Sequence, residues 1–349
     1  MRLAFICSLS ALLLFAGCNN AATPPDMAAP PDLTLPVGAD AEIKILDAVT
    51  HKGGEITKGP FKVTLPAGGV TYAKITLHVD LGCPQGGCDP YDRIASIRLL
   101  PSTMGAPKIE VGRYITPFGV KGAWDLDVTD LAPVLAGERS FESYIETWAG
   151  GWVVTATLIY KGGVPDRIPV SVTPLPWDRL PAGDPKQEVD KALVPTEIAP
   201  GMAASMALRL VVTGHGQGNS DNCAEFCDLT HTVLVDGTMV AQKNIWRDDC
   251  DQNPVKNQKG TWMYPREGWC PGADVKPWTI DLGARAKPFT IKYGTPGYLN
   301  GMTLDPYINT CQPNNCMART CAFGNPCAYD GGAHTEPNFL VSAAVIGYR

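Results

Sequence analysis

The stretch Lys74-Ile75-Thr76-Leu77-His78-Val79-Asp80-Leu81 alternates polar and apolar residues without a break. A period of two suits a strand that buries one face, and little else. The same pattern predicts strands at residues 61–65, 94–100, 109–115, 124–128, 141–148, 152–160 and 168–172, with Gly, Pro, Asn and Asp turns between them. Helical periodicity is nearly absent. About eight antiparallel strands between residues 41 and 175 point to a jelly-roll sandwich. A polar, proline-containing connector at 174–183 follows, and strand patterns resume at 206–212, 231–235, 275–282, 289–293 and 339–346. Between these lie long Gly-, Asn- and Cys-rich loops at 214–229, 247–272 and 301–336. Aperiodic loops of that length are usually functional or cross-linked. The expected organisation is an N-terminal jelly roll over 41–178 and a C-terminal one over 179–349, the latter carrying a Cys-rich insertion at 301–336.

The N-terminus reads as an export signal over residues 1–17: Arg2, then an apolar run through Leu12-Leu13-Leu14-Phe15, then Ala16-Gly17. Leu14-Phe15-Ala16-Gly17-Cys18 resembles a bacterial lipobox, which makes Cys18 the acylated first residue of the mature chain. The apolar run is too short to span a bilayer. Residues 18–40, with Pro24, Pro25, Pro30, Pro31 and Pro36, read as a semi-extended tether. The expected location is an exported, outer-membrane-anchored lipoprotein, with a periplasmic or secreted protein as the alternative. Net charge is −6, with no basic stripe, which argues against nucleic acid as a partner.

Twelve cysteines less Cys7 and Cys18 leave ten, and an oxidising compartment makes five disulfides the default. Cys83 with Cys88 and Cys223 with Cys227 close two short loops, and Cys250 with Cys270 forms a third pair. Cys311, Cys316, Cys321 and Cys327 admit three connectivities. Their spacing lacks the two-residue intervals of zinc ribbons, and no metal or other cofactor is expected.

The short cysteine loops carry carboxylates. Asp92 and Arg93 follow the first, Glu225 sits inside the second, and Glu146 lies near a strand end beside Trp148. Arg266 and Trp269 fall in Pro265-Arg266-Glu267-Gly268-Trp269-Cys270. Paired carboxylates can activate water and manage protons. Aromatic faces beside polar groups grip sugar rings.

Taken together, several segments resemble the bacterial peptide-N-glycosidase F family. They are Cys83-Pro84, Cys88-Asp89, Tyr91-Asp92-Arg93, Gly112-Arg113-Tyr114-Ile115-Thr116-Pro117 and Asp127-Val128-Thr129-Asp130. Glu146-Thr147-Trp148, Cys223-Ala224-Glu225-Phe226-Cys227, Thr230-His231-Thr232, Arg266 and Gly268-Trp269-Cys270-Pro271-Gly272 complete the set, in the family's order. The resemblance implies two side-by-side eight-stranded antiparallel jelly rolls with the site at their interface. It implies an amidase that cuts the bond between asparagine and the innermost N-acetylglucosamine of an N-linked glycan, acting as a monomer on glycoproteins or glycopeptides. It makes Asp92 the principal catalytic carboxylate, with Glu225 and Glu146 as supporting acids. Tyr91, Arg93, Trp148, Arg266 and Trp269 become substrate-binding residues, and the three disulfides above match the family's. His215, Gln217 and Tyr91 depart from the family pattern on the sugar-facing wall.

Two other readings compete. A non-catalytic glycan-binding jelly-roll relative would lose one or more acids, whereas all three are retained. A copper monooxygenase-like double jelly roll would need clustered imidazoles, whereas His51, His78, His215, His231 and His334 are well separated in sequence.

Overall fold

The period-two pattern becomes sheet throughout the computed structural model, which describes residues 35–181, 195–199, 201, 203–216, 224–226, 228–294, 298–299, 302–303 and 337–349. In chain order, β1 (Ala41–Lys52), β2 (Thr57–Thr64), β3 (Tyr72–Gly82), β4 (Ile94–Leu99), β5 (Ile109–Ile115), β6 (Gly122–Asp127), β7 (Glu138–Ile145) and β8 (Gly151–Gly162) form two four-stranded antiparallel sheets. Their orders are β1-β8-β3-β6 and β2-β7-β4-β5. Ile75, Leu77, Val79 and Leu81 of β3 are buried while the residues between them reach the surface, as the alternation predicts. They share one core with Ala95, Ile97 and Leu99 of β4 and Phe141 of β7 from the facing sheet. Gly112 of β5 permits this closeness, because a Cβ there would lie 2.7 Å from Leu126 and 3.0 Å from Leu77.

The chain continues through β9 (Pro169–Pro174), β10 (Arg179–Pro181), β11 (Thr196–Ile198), β12 (Ser205–His215), β13 (Thr230–Val235), β14 (Thr238–Asn244), β15 (Trp246–Arg247), β16 (Arg266–Glu267), β17 (Trp278–Gly283), β18 (Phe289–Gly294), β19 (Tyr298–Leu299), β20 (Met302–Thr303) and β21 (Asn338–Tyr348). One sheet runs β10-β21-β12-β17 with β9 also on β21, and a second runs β11-β18-β13-β14. β15 and β16 form a two-stranded ribbon, as do β19 and β20. No helix among the described residues is long and apolar enough to cross a membrane.

Among the longer strands, β1, β9 and β14 depart from expectation. β1 escapes the alternation because two register shifts, after Lys44 and after Leu46, and a left-handed Ala48 (φ 48°) break its period. Residues 168–172, expected among the first eight strands, become β9 and pair with β21 instead. β14 is an exposed edge strand with no buried residue to mark it. Its signal was the Asp236-Gly237 dipeptide, both residues at positive φ, which turns the β13–β14 hairpin.

Residues Leu35–Arg349 form one compact unit in which the two sandwiches touch. Ile94 and Ile115 pack with Val211, Trp269, Val275 and Leu340. The fully buried Arg113 of β5 donates to Thr213 Oγ1 (2.9 Å) and to the Leu340 carbonyl (2.7 Å). Its remaining nitrogens are clamped by both oxygens of Glu110 at 2.6 Å. This satisfied polar tie fixes the register in which loops from both sandwiches meet.

Candidate active site

The first acid is aimed by its neighbours. The Cys83–Cys88 disulfide closes the turn after β3, and the next residue, Asp89, is wholly buried. Its carboxylate accepts from Arg93 Nε (2.8 Å) and Nη2 (3.2 Å), Thr147 Oγ1 (2.6 Å) and the Tyr91 amide (3.0 Å). Arg93 is therefore held by Asp89, and Asp92 faces a different cation.

That cation is Arg266. Its Nε donates to Glu225 Oε1 at 3.1 Å, and its Nη2 lies 3.7 Å from Asp92 Oδ2. The other donors go to the Thr261 and Tyr264 carbonyls (2.9 Å each) and to Thr261 Oγ1 (3.0 Å). The guanidinium sits 4.8 Å from the Trp269 ring centroid and 5.3 Å from that of Phe226. With 1 % of its side chain exposed, Arg266 supports the acids from beneath, so the expectation that it touches sugar gives way to a buried role.

Glu225 hangs on short backbone tethers. Its amide donates to the Gly216 carbonyl (3.2 Å), and its carbonyl accepts from the Glu267 amide (2.9 Å). A Cβ on Gly214 would come within 2.3 Å of the Ala224 carbonyl oxygen, so only glycine lets β12 pass under this loop. Glu267 is in turn buried and accepts from His231 Nε2 at 2.6 Å, anchoring the strand that carries Arg266.

Glu146 comes from the end of β7, its amide donating to the Ile94 carbonyl (3.0 Å). Its carboxylate accepts from the Tyr144 hydroxyl and from Arg179 Nη2, while Arg179 Nη1 donates to Asn338 Oδ1 (2.6 Å).

Asp92, Arg93, Glu146, Trp148, His215, Glu225 and Trp269 line one cleft of about 320 Å³. Trp148 is 63 % exposed and offers an open ring face. Trp269 is buried, its Nε1 donating to the Gly214 carbonyl (2.6 Å) and its ring stacked at 5.3 Å on His215. Tyr91 is 55 % exposed, lies outside the cleft lining, and packs its ring under the Arg93 guanidinium.

Burial pushes the Glu225 carboxyl up to about 7, with the Asp92 charge adding to the rise and Arg266 opposing it. Burial also raises Asp92, against the pull of Arg266 and Arg93. The two acids share one arginine and each is raised above its ordinary value, so they titrate as an interacting pair. His215 is held well below the ordinary histidine range by burial and by Arg113, Arg179 and Arg266, so its ring is neutral.

Sequence reasoning missed four contributors. Asp89 stood in plain view, but only the fold shows that it takes Arg93. Tyr144 looked like a strand residue, and Thr261 lay in a loop without periodicity. Arg179 fell in the presumed connector, with no signal linking it to Glu146. The Cys83–Cys88 and Cys250–Cys270 bonds are formed, whereas Cys18, Cys223, Cys227, Cys311, Cys316, Cys321 and Cys327 lie outside the described residues. The described histidines do not converge. His51 bonds Glu55 and Ser143, His78 bonds Asp80 and Asp125, and His231 bonds Tyr293 and Glu267.

Fold and cleft together define a double β-sandwich enzyme with two acids on one buried arginine. Residues 100–160 match the family model described as peptide-N-glycosidase F, N terminal, and residues 186–313 match its C-terminal counterpart. The chain belongs to the peptide-N-glycosidase F family. It is 29 % identical over 341 residues to peptide-N(4)-(N-acetyl-beta-D-glucosaminyl)asparagine amidase F of Elizabethkingia miricola, covering 87 % of this chain and 92 % of that one. A 2.2 Å crystal structure of a peptide-N(4)-(N-acetyl-beta-D-glucosaminyl)asparagine amidase superposes with a TM-score of 0.71 at 24 % identity, over 89 % of this chain and 96 % of the other. PNGase F from Flavobacterium meningosepticum gives 0.67, also at 24 % identity, over the same shares. These two likenesses are of fold.

Proposed function

We propose that this chain is an amidase that hydrolyses the bond between asparagine and the innermost N-acetylglucosamine of N-linked glycans on glycoproteins and glycopeptides. The products are a glycosylamine and an aspartate. The observation that carries the reading is that Asp92 of one sandwich and Glu225 of the other share Arg266 at the base of one cleft.

Asp92 acts at the scissile linkage. Its carboxylate takes a proton from the attacking water as the water oxygen bonds to the amide carbon. It returns that proton to the nitrogen as the carbon–nitrogen bond breaks. Glu225 acts through an ordered water that it aligns, and Glu146 orients the substrate. Arg93 has Nε and Nη2 committed to Asp89, and its Nη1 is directed to the charge that develops on the carbonyl oxygen. Trp148 supplies an apolar face for the first sugar. Conversion of asparagine to aspartate in a glycopeptide digest, read by mass spectrometry, tests the activity. Glycan that stays attached after prolonged incubation would reduce the protein to a binding relative.

The acid pair works ionised. Both carboxyl groups are raised by burial, so they are protonated and idle below the pair's upper apparent pKa and active above it. With Glu225 at about 7, kcat/KM rises with pH through that region. Glu225→Gln removes the inflection. A profile already flat one unit below that value would show that the pair does not govern catalysis.

We also propose that Cys18 carries a lipid that holds the enzyme at the outer membrane, supported by the lipobox-like Leu14–Cys18 segment. Cys18→Ser should move the protein from the membrane to the soluble fraction. Unchanged fractionation removes the anchor.

A further inference from the structure

Arg266 of β16 reaches the acids, and Glu267 meets His231. Beside the β15–β16 ribbon lies a separate pocket of about 390 Å³, lined by Trp246, Arg247, Asp249, Asp274, Lys276 and Trp278 among others. It shares no lining residue with the catalytic cleft, although Gly268 borders the pocket and the next residue, Trp269, borders the cleft.

Its chemistry is specific. Trp246 and Trp278 are both only partly buried, so indole surface is available. Trp246 is held by its strand pairing to Glu267 and by its amide donating to Asn244 Oδ1 at 2.8 Å. Four of the charged groups are paired in advance, and the fifth, Lys243, lies over the Trp278 ring at 6.0 Å from its centroid. Arg247 donates in a fork to both oxygens of Asp249, at 2.6 and 3.1 Å, and Lys276 pairs with Asp274. A free ion would have to break these pairs or draw Lys243 off the Trp278 ring, whereas hydroxyls can bond to the carboxylate lone pairs that remain. Two indoles with paired carboxylates at the rim match a pyranose ring, apolar on its C–H face and hydroxylated at its edge.

We infer that this pocket is a second saccharide site, which takes a neutral hexose ring of a glycan beside the amidase cleft. The choice of a glycan sugar rests on the amidase reading, while the existence of the site rests on the pocket alone. Such a site adds a second attachment point for a branched substrate.

The full chain carrying Asp92→Asn, in which turnover is strongly slowed, is titrated with two oligosaccharides that lack the N-acetylglucosamine stem. One is mannose-terminated and the other galactose-terminated. Indole N–H resonances report binding. At least one sugar should shift the signals of Trp246 and Trp278, and Trp246→Ala or Trp278→Ala should weaken binding about tenfold. Trp278→Tyr, which keeps a ring, should recover part of that loss. In an otherwise native chain, the alanine variants should still cleave a glycopeptide trimmed to its two innermost sugars. The inference is overturned if neither sugar moves the signals, or if the correctly folded alanine variants bind as tightly as their parent. Failure of the native chain to release any glycan would sink the amidase reading and leave the sugar titration standing.

Discussion

Asp92→Asn lowers kcat/KM for glycopeptide cleavage by about 10²–10⁴-fold, the loss expected when a positioned acid–base group is removed. The near-isosteric amide keeps its place beside Arg266 but can no longer accept the proton of water. The fold should survive, because ionised Asp92 is itself a burden there: burial raises its pKa even with Arg266 alongside. Above neutral pH the variant should melt at the same temperature as its parent or slightly higher. Activity within a few-fold of the parent, with melting unchanged, would move the central role to Glu225.

Arg266→Met damages the molecule twice. The guanidinium is 1 % exposed and opposes two carboxylates that are themselves only 20 % and 16 % exposed. Removing one partner of a buried ionic cluster costs about 3–5 kcal/mol. The sign with pH follows from the acids left behind. Without Arg266 their folded-state pKa values rise further above the unfolded values, so the penalty is full at high pH. It fades as the pH falls toward the unfolded carboxylate range, where the acids are neutral in both states. Urea titrations of parent and variant at two pH values check this, and an equal loss at both would mean that packing against Trp269 and Phe226, not charge, is what Arg266 provides. Catalysis should fall as well, with the rise of kcat/KM displaced to higher pH.

The acids Asp92, Glu225 and Glu146 were legible because each lies in a short motif: after a cystine loop, between two closely spaced cysteines, or beside a tryptophan. β3 was legible because its buried and exposed residues alternate. What stayed hidden depends on three-dimensional partnership. That Asp89 claims Arg93 and leaves Asp92 to Arg266 is decided by where β4 and β16 approach, which no local pattern encodes. Arg179 reaches Glu146 only because β10 lies along β21. β1 hid for the opposite reason, since its own bulges scrambled a signal that would otherwise have been plain.

β21 is an interior strand, bordered by β12 along one edge and by β9 and β10 along the other. It also supplies Asn338, which steadies the Arg179 that grips Glu146. A polypeptide lacking Asn338–Tyr348 therefore has a gap at the heart of its second sandwich, with β12, β9 and β10 each missing a neighbour. The last strand acts as a keystone: without it, the arginine that grips Glu146 has no anchor at residue 338.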